Sequence, residues 1–222
     1  VSEDRGIAAL LRLMAWLSPA FPVGGFSYSG GLEKAVEDRR VRDAAELGEW
    51  VEALLRYGSL WNDAVFLADA WHNGEAATLS ETADLARALA SSAERYRETV
   101  LLGDAFVAAA GAWPHAVLEA LPKDVPYPVA VGAVASAHKV PLRETIAAFL
   151  HAGVSQIVSA GIRLGVAGQK DGVAILAATE VIIAEITARA VPSTLDDLGS
   201  ATIIADTAAM RHETQGTRLF RS

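Results

Sequence analysis

Five histidines, His72, His115, His138, His151 and His212, are the side chains in this sequence best suited to bind a metal or move a proton near neutral pH. None has a second histidine four residues on, the spacing that sets two imidazoles on one helical face. His212-Glu213 opens like the HExxH motif of zinc proteases, but Gly216 stands where the second ligand would be, so that site is excluded. The chain has no cysteine, which rules out a thiolate nucleophile, a disulfide and any cysteine-based zinc or iron–sulfur centre. Asp196, Asp197 and Asp206 lie close together in sequence and read as loop and cap residues rather than a general acid–base pair. The stretch Gly25-Phe-Ser-Tyr-Ser-Gly30-Gly31 has the glycine of a phosphate loop. It lacks the Lys-Ser/Thr ending and a preceding strand, and it does not fit GxGxxG. Ser27 and Ser29 have no histidine near them in sequence. No catalytic residue, no metal-ligand set and no stably bound cofactor is therefore expected.

Two segments stand out for binding rather than catalysis. The first contains Ser18, Pro19, Phe21, Pro22, Gly24, Gly25, Phe26, Ser27, Tyr28 and Ser29, which crowd aromatic rings into a turn of prolines and glycines. It reads either as a structural turn stapling two helices or as a recognition loop. The second is the end of the chain, where Arg211, Arg218 and Arg221 surround Leu219 and Phe220 in an otherwise acidic protein. Chain ends usually fray, yet arginine and phenylalanine are also the residues of a binding anchor. Gly216 breaks a helix arriving through Met210, so residues 211–222 are expected as a tail able to leave the bundle.

The elements that must carry these segments are helical. Leu47, Trp50, Val51, Leu54, Gly58 and Trp61 recur at three- and four-residue steps, with Asp43 placed to cap their helix. Tyr96, Val100, Gly103, Phe106, Val107 and Ala110 repeat the pattern, as do Ile146, Phe149, Leu150, Gly153, Ile157, Gly161 and Leu164. A further stripe of Val173, Leu176, Ala177, Ile183 and Ile186 sets a helix over roughly 169–188. Breaks fall at 18–25, at Asn73-Gly74, at 122–128 and at 191–197, and Pro141 sits just inside a helix start. The sum is an all-α fold, a single helical bundle of roughly eight to ten helices spanning 1–222.

Composition narrows the setting. The net charge of −8 leaves no excess of Lys and Arg to neutralise phosphates, so nucleic acid is not an expected partner. With 52% hydrophobic residues and a mean hydropathy of +0.27, the chain needs either a large core or a partner-covered surface. Val1 to Arg5 are polar, and the apolar run from Ile7 is broken by Arg12 and stops at Pro19, so no secretory leader is expected. The uncharged run Thr145 to Ile162 carries Gln156, His151 and two glycines, and reads as a buried or interface helix rather than a membrane span. A reducing, cytoplasmic setting fits the absence of cysteine.

The signature SPAFPVGGFSYSGGLE resembles the N-terminal segment of the urease accessory family UreF, and DLGSATIIADTAAMRHETQGTRLFRS, from Asp197, resembles its C-terminus. YPVAVGAVASAHKVPLRETIAAFL, from Tyr127, and SAGIRLGVAGQKDG, from Ser159, are also similar to the family. The chain departs from the family pattern at Gly30, at Val166-Ala-Gly-Gln169, at Val173-Ala174 and at Gly216-Thr217. The resemblance implies a non-enzymatic, chaperone-like scaffold that dimerises and works with UreD (also called UreH) and the GTPase UreG to insert nickel into apo-urease. Nickel would be handled by the complex and GTP bound by UreG. The resemblance assigns the UreD contact to Arg211, His212, Glu213, Gln215, Arg218, Leu219, Phe220 and Arg221. A UreG contact falls on Gln169, Lys170 and Asp171, with Lys170 standing in for a basic position lost at Val173-Ala174. The helix with Phe149 and Gly153 is the expected dimer element. Two rival readings remain at this point: a helical interaction domain unconnected with urease, and a small helical enzyme with a site assembled in space.

Overall fold

Alanine-rich, three-to-four-residue periodicity favours helix over strand, and the computed structural model, which describes residues 2–222, is helical accordingly, with no strand among the described residues. Its helices are α1 (Ser2–Trp16), α2 (Leu32–Glu37), α3 (Ala44–Tyr57), α4 (Ser59–His72), α5 (Ala76–Ala88), α6 (Ala93–Ala110), α7 (Val117–Ala120), α8 (Tyr127–Ala137), α9 (Leu142–Arg163), α10 (Gln169–Ala190) and α11 (Ile203–His212). Short 3-10 turns occupy Gly25–Ser27 and Leu195–Asp197. Asp43 caps α3 as expected, its Oδ1 accepting from the Glu46 amide at 3.0 Å. The expected stops also hold: α4 ends before Asn73-Gly74 and α10 ends before Val191.

Helix α8 forms the centre. Every residue from Pro128 to Ala135 is buried, so this helix has no solvent face and is small and apolar all round. It lies against α4, α6, α5 and α9. Gly132 allows the closest of these approaches, because a Cβ there would stand 2.3 Å from the Leu67 carbonyl oxygen on α4. Around this axis α9 pairs with α10, α10 with α3, and α11 with α2 and α6. One continuous apolar core runs from Ala9 on α1 to Phe220 near the end of the chain.

Three expectations need correction. The stripe ending at Gly58 and Trp61 is not one helix: Gly58 adopts an extended conformation (φ −132°, ψ −151°) and separates α3 from α4. Pro141 is the residue before α9 rather than its first residue. In α10 the buried stripe is Gly172, Ile175, Thr179, Ile183 and Ile186, whereas Val173 is 66% exposed and Ala177 faces solvent. Helix α9 is long and apolar enough to cross a membrane by length and composition. Its Ile146, Phe149, Leu150, Val154 and Val158 are instead buried in the bundle.

If the α4–α8 approach is a hard constraint, Gly132→Ala should destabilise the protein by about 1–3 kcal/mol through overpacking. Gly74→Ala, where an added Cβ meets nothing within 4 Å, should change stability by less than about 0.5 kcal/mol. Urea unfolding of the two variants beside the parent measures both.

Candidate functional site

The glycine-rich segment after α1 is a fixed turn. Gly24 has φ +80° and starts the 3-10 turn Gly25–Ser27. Gly31 has φ +83° at the start of α2, and a Cβ on it would stand 2.7 Å from the Ala209 nitrogen of α11. Only glycine meets both demands. Phe21 packs on Phe106 at 5.6 Å between ring centroids, and Tyr28 and Ser29 are buried, whereas Pro19, Pro22 and Phe26 are exposed. Ser29 Oγ accepts from the Glu33 amide at 3.2 Å, so the end of the loop caps the short helix that follows.

The tail, expected as a segment able to leave the bundle, is docked in this structure. His212 is fully buried, Phe220 is 4% exposed and Ser222 is 3% exposed. The anchor is Glu33 on α2, whose Oε1 accepts from the Leu219 amide at 2.7 Å and Oε2 from the Phe220 amide at 2.9 Å. Oε2 also lies 3.1 Å from His212 Nε2. On the other side of the ring, His212 Nδ1 lies 2.7 Å from Glu94 Oε2 on α6, and Arg218 Nη1 donates to Glu94 Oε1 at 2.6 Å. Past Phe220 the backbone pairs with the loop: the Arg221 amide donates to the Ser27 carbonyl and the Ser29 amide to the Ser222 carbonyl, each at 2.8 Å. Ser222 Oγ donates to Glu98 at 3.1 Å. The tail is thus a strap across the loop and α6, held because burying Phe220 and satisfying two carboxylates outweighs the entropy of a loose end.

Burial pushes the Glu33 carboxyl up, but the Leu219 and Phe220 amides together with the His212 ring outweigh it and hold it below the ordinary carboxylate range. Below Ser222 the Arg95 guanidinium sits between Asp63 (2.5 Å) and Glu98 (3.4 Å). Burial pushes both of those carboxyls up, against the pull of Arg95. The two carboxylates at His212 approach opposite edges of its ring, so they do not converge on one metal position. No group of three metal-ligating residues forms among the described residues.

Loop, strap and α9 enclose a groove of about 410 Å³, bordered by Phe26, Ser29, Phe149, Gln156, Arg163 and Ser222. Arg163 ties the three together: Nη1 donates to the Phe26 carbonyl at 2.6 Å, and the guanidinium lies 4.2 Å from the centre of the Phe220 ring. Sequence reasoning passed over Arg163 and Glu33, whose partners are remote in sequence: Phe26 and Phe220 for Arg163, His212, Leu219 and Phe220 for Glu33. Of the expected dimer residues, Phe149 is buried against Tyr127 within the chain and Gly153 faces Leu60. Phe149 is buried and Gly153 partly so, and both line the groove, while the outward side of α9 is carried by His151, Ser159 and Arg163. Gln169, Lys170 and Asp171 are exposed at the start of α10, where Asp171 caps the Gly168 amide at 2.9 Å, and they do not border the groove.

The UreF family model matches residues 41–180. The chain belongs to the UreF family. It is 82% identical to the urease accessory protein UreF of Agrobacterium fabrum over 223 residues, spanning both chains completely. It is 62% identical to that of Rhizobium johnstonii, again over all of both chains. Identity to urease accessory protein UreF 1 of Brucella canis is 57% over 217 residues, 96% of this chain and 94% of the relative. The loop and the strap lie outside the span of the family model but inside the two full-length UreF alignments.

Glu33 supplies a pH test. Its folded value lies below its unfolded one, so its contribution is complete above the ordinary glutamate pKa of about 4.3 and is lost as pH falls through the folded value. Glu33→Gln should cost about 3 kcal/mol at neutral pH. The gap between parent and variant should narrow below about pH 4. Urea midpoints across that range measure it, and a gap that stays constant in acid contradicts the assignment.

Proposed function

We propose that this chain is a urease accessory protein: a non-enzymatic helical scaffold that joins UreD (UreH) and the GTPase UreG while nickel, the cargo, is inserted into apo-urease. The observation that carries this reading is the end-to-end likeness to proteins of that name, including the 82% identity over the full length. The geometry supports a binding role for the loop and strap, which form one surface rather than two. On that surface Leu219 is 55% exposed, and Phe26 and Arg221 also face outward, above a buried base of Glu33, His212 and Phe220. The partner contact is therefore assigned to the exposed members, Arg211, Glu213, Arg218, Leu219 and Arg221, with His212 and Phe220 supporting them from below. Gln169, Lys170 and Asp171 form a separate exposed face, assigned to UreG. Self-association would use the outward side of α9 and the groove mouth, with no stably bound cofactor, nucleic acid or membrane involved and a cytoplasmic setting.

The test is a pull-down with UreD and UreG from the same source, followed by activation of apo-urease with and without this chain. Activation should require the chain. Leu219→Asp and Arg221→Glu should each weaken UreD capture at least roughly tenfold, as expected for anchor residues, while the melting temperature stays near that of the parent because both side chains face solvent. Phe220→Ala should lower stability and capture together. Full activation without the chain would overturn the reading, and unchanged capture by both surface variants would overturn the assigned contact.

A further inference from the structure

The groove between loop, strap and α9 combines apolar walls with a cluster of mostly buried charges. Leu54, Leu60, Leu102 and Phe149 line its sides. Asp63 of α4 and Glu98 of α6 border it too, and they share a single cation, Arg95, at 2.5 and 3.4 Å. Two carboxylates against one guanidinium leave one negative charge uncompensated. Ser222 Oγ gives Glu98 a hydrogen bond at 3.1 Å but brings no charge. Asp63 is the less satisfied of the pair: its Oδ2 takes the Arg95 bond, and its Oδ1 has no hydrogen-bond partner among the described residues. The remaining charged groups on the groove do not supply the balance. Arg163 is engaged with the Phe26 carbonyl and the Phe220 ring, and Asp206, which accepts from Ser200, adds a further carboxylate.

A poorly hydrated carboxylate with an open oxygen calls for a partner that brings positive charge and N–H donors together. A divalent metal ion fits badly. Arg95 pairs with both carboxylates and repels a dication, and no third metal-ligating residue joins them among the described residues. An ammonium or guanidinium on an apolar stem matches the walls and the carboxylates at once. The volume of about 410 Å³ lies in the range of pockets that enclose small ligands. We propose that the groove is a socket for a Lys or Arg side chain of the partner that docks on the loop and strap, its stem against the apolar walls and its charged head on Asp63 and Glu98. The argument for this occupant is charge complementarity, together with the loop and strap residues Phe26, Ser29 and Ser222 bordering the same groove. Naming the partner as UreD rests on the accessory-protein reading above.

The test titrates n-butylguanidinium into the full chain at constant ionic strength, followed by NMR, with n-butanol as the uncharged comparison and Ni²⁺ as the metal alternative. A fragment of this size binds with a Kd of about 1 mM when well placed. Butylguanidinium should shift the carboxylate carbons of Asp63 and Glu98 and the amides of Leu60 and Gly153. It should bind at least roughly tenfold tighter than butanol, the worth of a charge-assisted hydrogen bond. Asp63→Asn should abolish that advantage and Glu98→Gln should reduce it. If Asp63→Asn does not fold, Glu98→Gln and the comparison of probes on the parent decide. Equal binding of butanol and butylguanidinium, no shift from either, or Ni²⁺ taking the two carboxylates and excluding the guanidinium overturns the socket. Each folded variant should also lose UreD capture, roughly tenfold for Asp63→Asn. Parental capture by a variant that no longer binds the probe overturns the partner side chain as the occupant. The titration contains no partner, so its failure leaves the accessory-protein reading standing. Failure of the parent chain to capture UreD sinks that reading and leaves the titration result untouched.

Discussion

A single carboxylate organises the end of the molecule where the glycine turn and the chain terminus meet. Glu33 opens the two-turn helix α2, directly after the glycine turn, and receives the amides of Leu219 and Phe220 as well as the His212 ring. A buried carboxylate needs such donors, because it cannot otherwise recover the hydration it loses. The chain has supplied two main-chain amides and a ring from residues about 180 positions away. Everything nearby follows from that closure. Phe220 enters the core, Ser222 reaches Glu98, and the backbone at Arg221 pairs with the loop at Ser27.

The bundle beneath provides a rigid seat. Because α8 is buried all round, α4 and α6 are held against it, and α6 presents Glu94 and, one turn on, Glu98 to the strap, with Arg95 pairing Glu98 to Asp63 of α4. Helix α9 completes the seat from the other side through Arg163, which holds the Phe26 carbonyl and covers the Phe220 ring. The surface made this way is composite. Loop and strap pair through their backbones at Ser27–Arg221 and Ser29–Ser222, so segments from opposite ends of a UreF-family chain form one surface.

Much of the fold was legible because it is local. The Asp43 cap, the Asn73-Gly74 stop and the break at 191–197 are set by residues within one helical turn, and they are where the sequence puts them. The phase of α10 was not legible. Apolar residues lie on all its sides, so Val173 and Ile175 compete for the core, and packing against α3 and α9 selects Ile175. The α3–α4 boundary was hidden for a related reason: the apolar steps run on unbroken through Gly58, and only its extended backbone ends the helix. Of the site, the loop and the tail could be picked out by composition, but their union could not. It depends on Glu33 and Arg163, single charged residues with no local pattern, and on a His212 whose partners are remote in sequence. The tail's arginines suggested a free anchor. Burial of Phe220 and pairing of Arg218 with Glu94 make it a docked one.

Closure by Glu33 makes loop, α2 and strap one unit that should open cooperatively. Native-state hydrogen exchange of the isolated chain near neutral pH, followed at residue resolution across low urea concentrations, tests it most directly. The amides of Ser29, Leu219, Phe220 and Arg221 should open together, with one free energy and one urea dependence, and Glu33→Gln should lower all four equally. Exchange at Leu219 to Arg221 that is orders of magnitude faster than at Ser29, or a Glu33→Gln effect confined to the strap, would contradict the account.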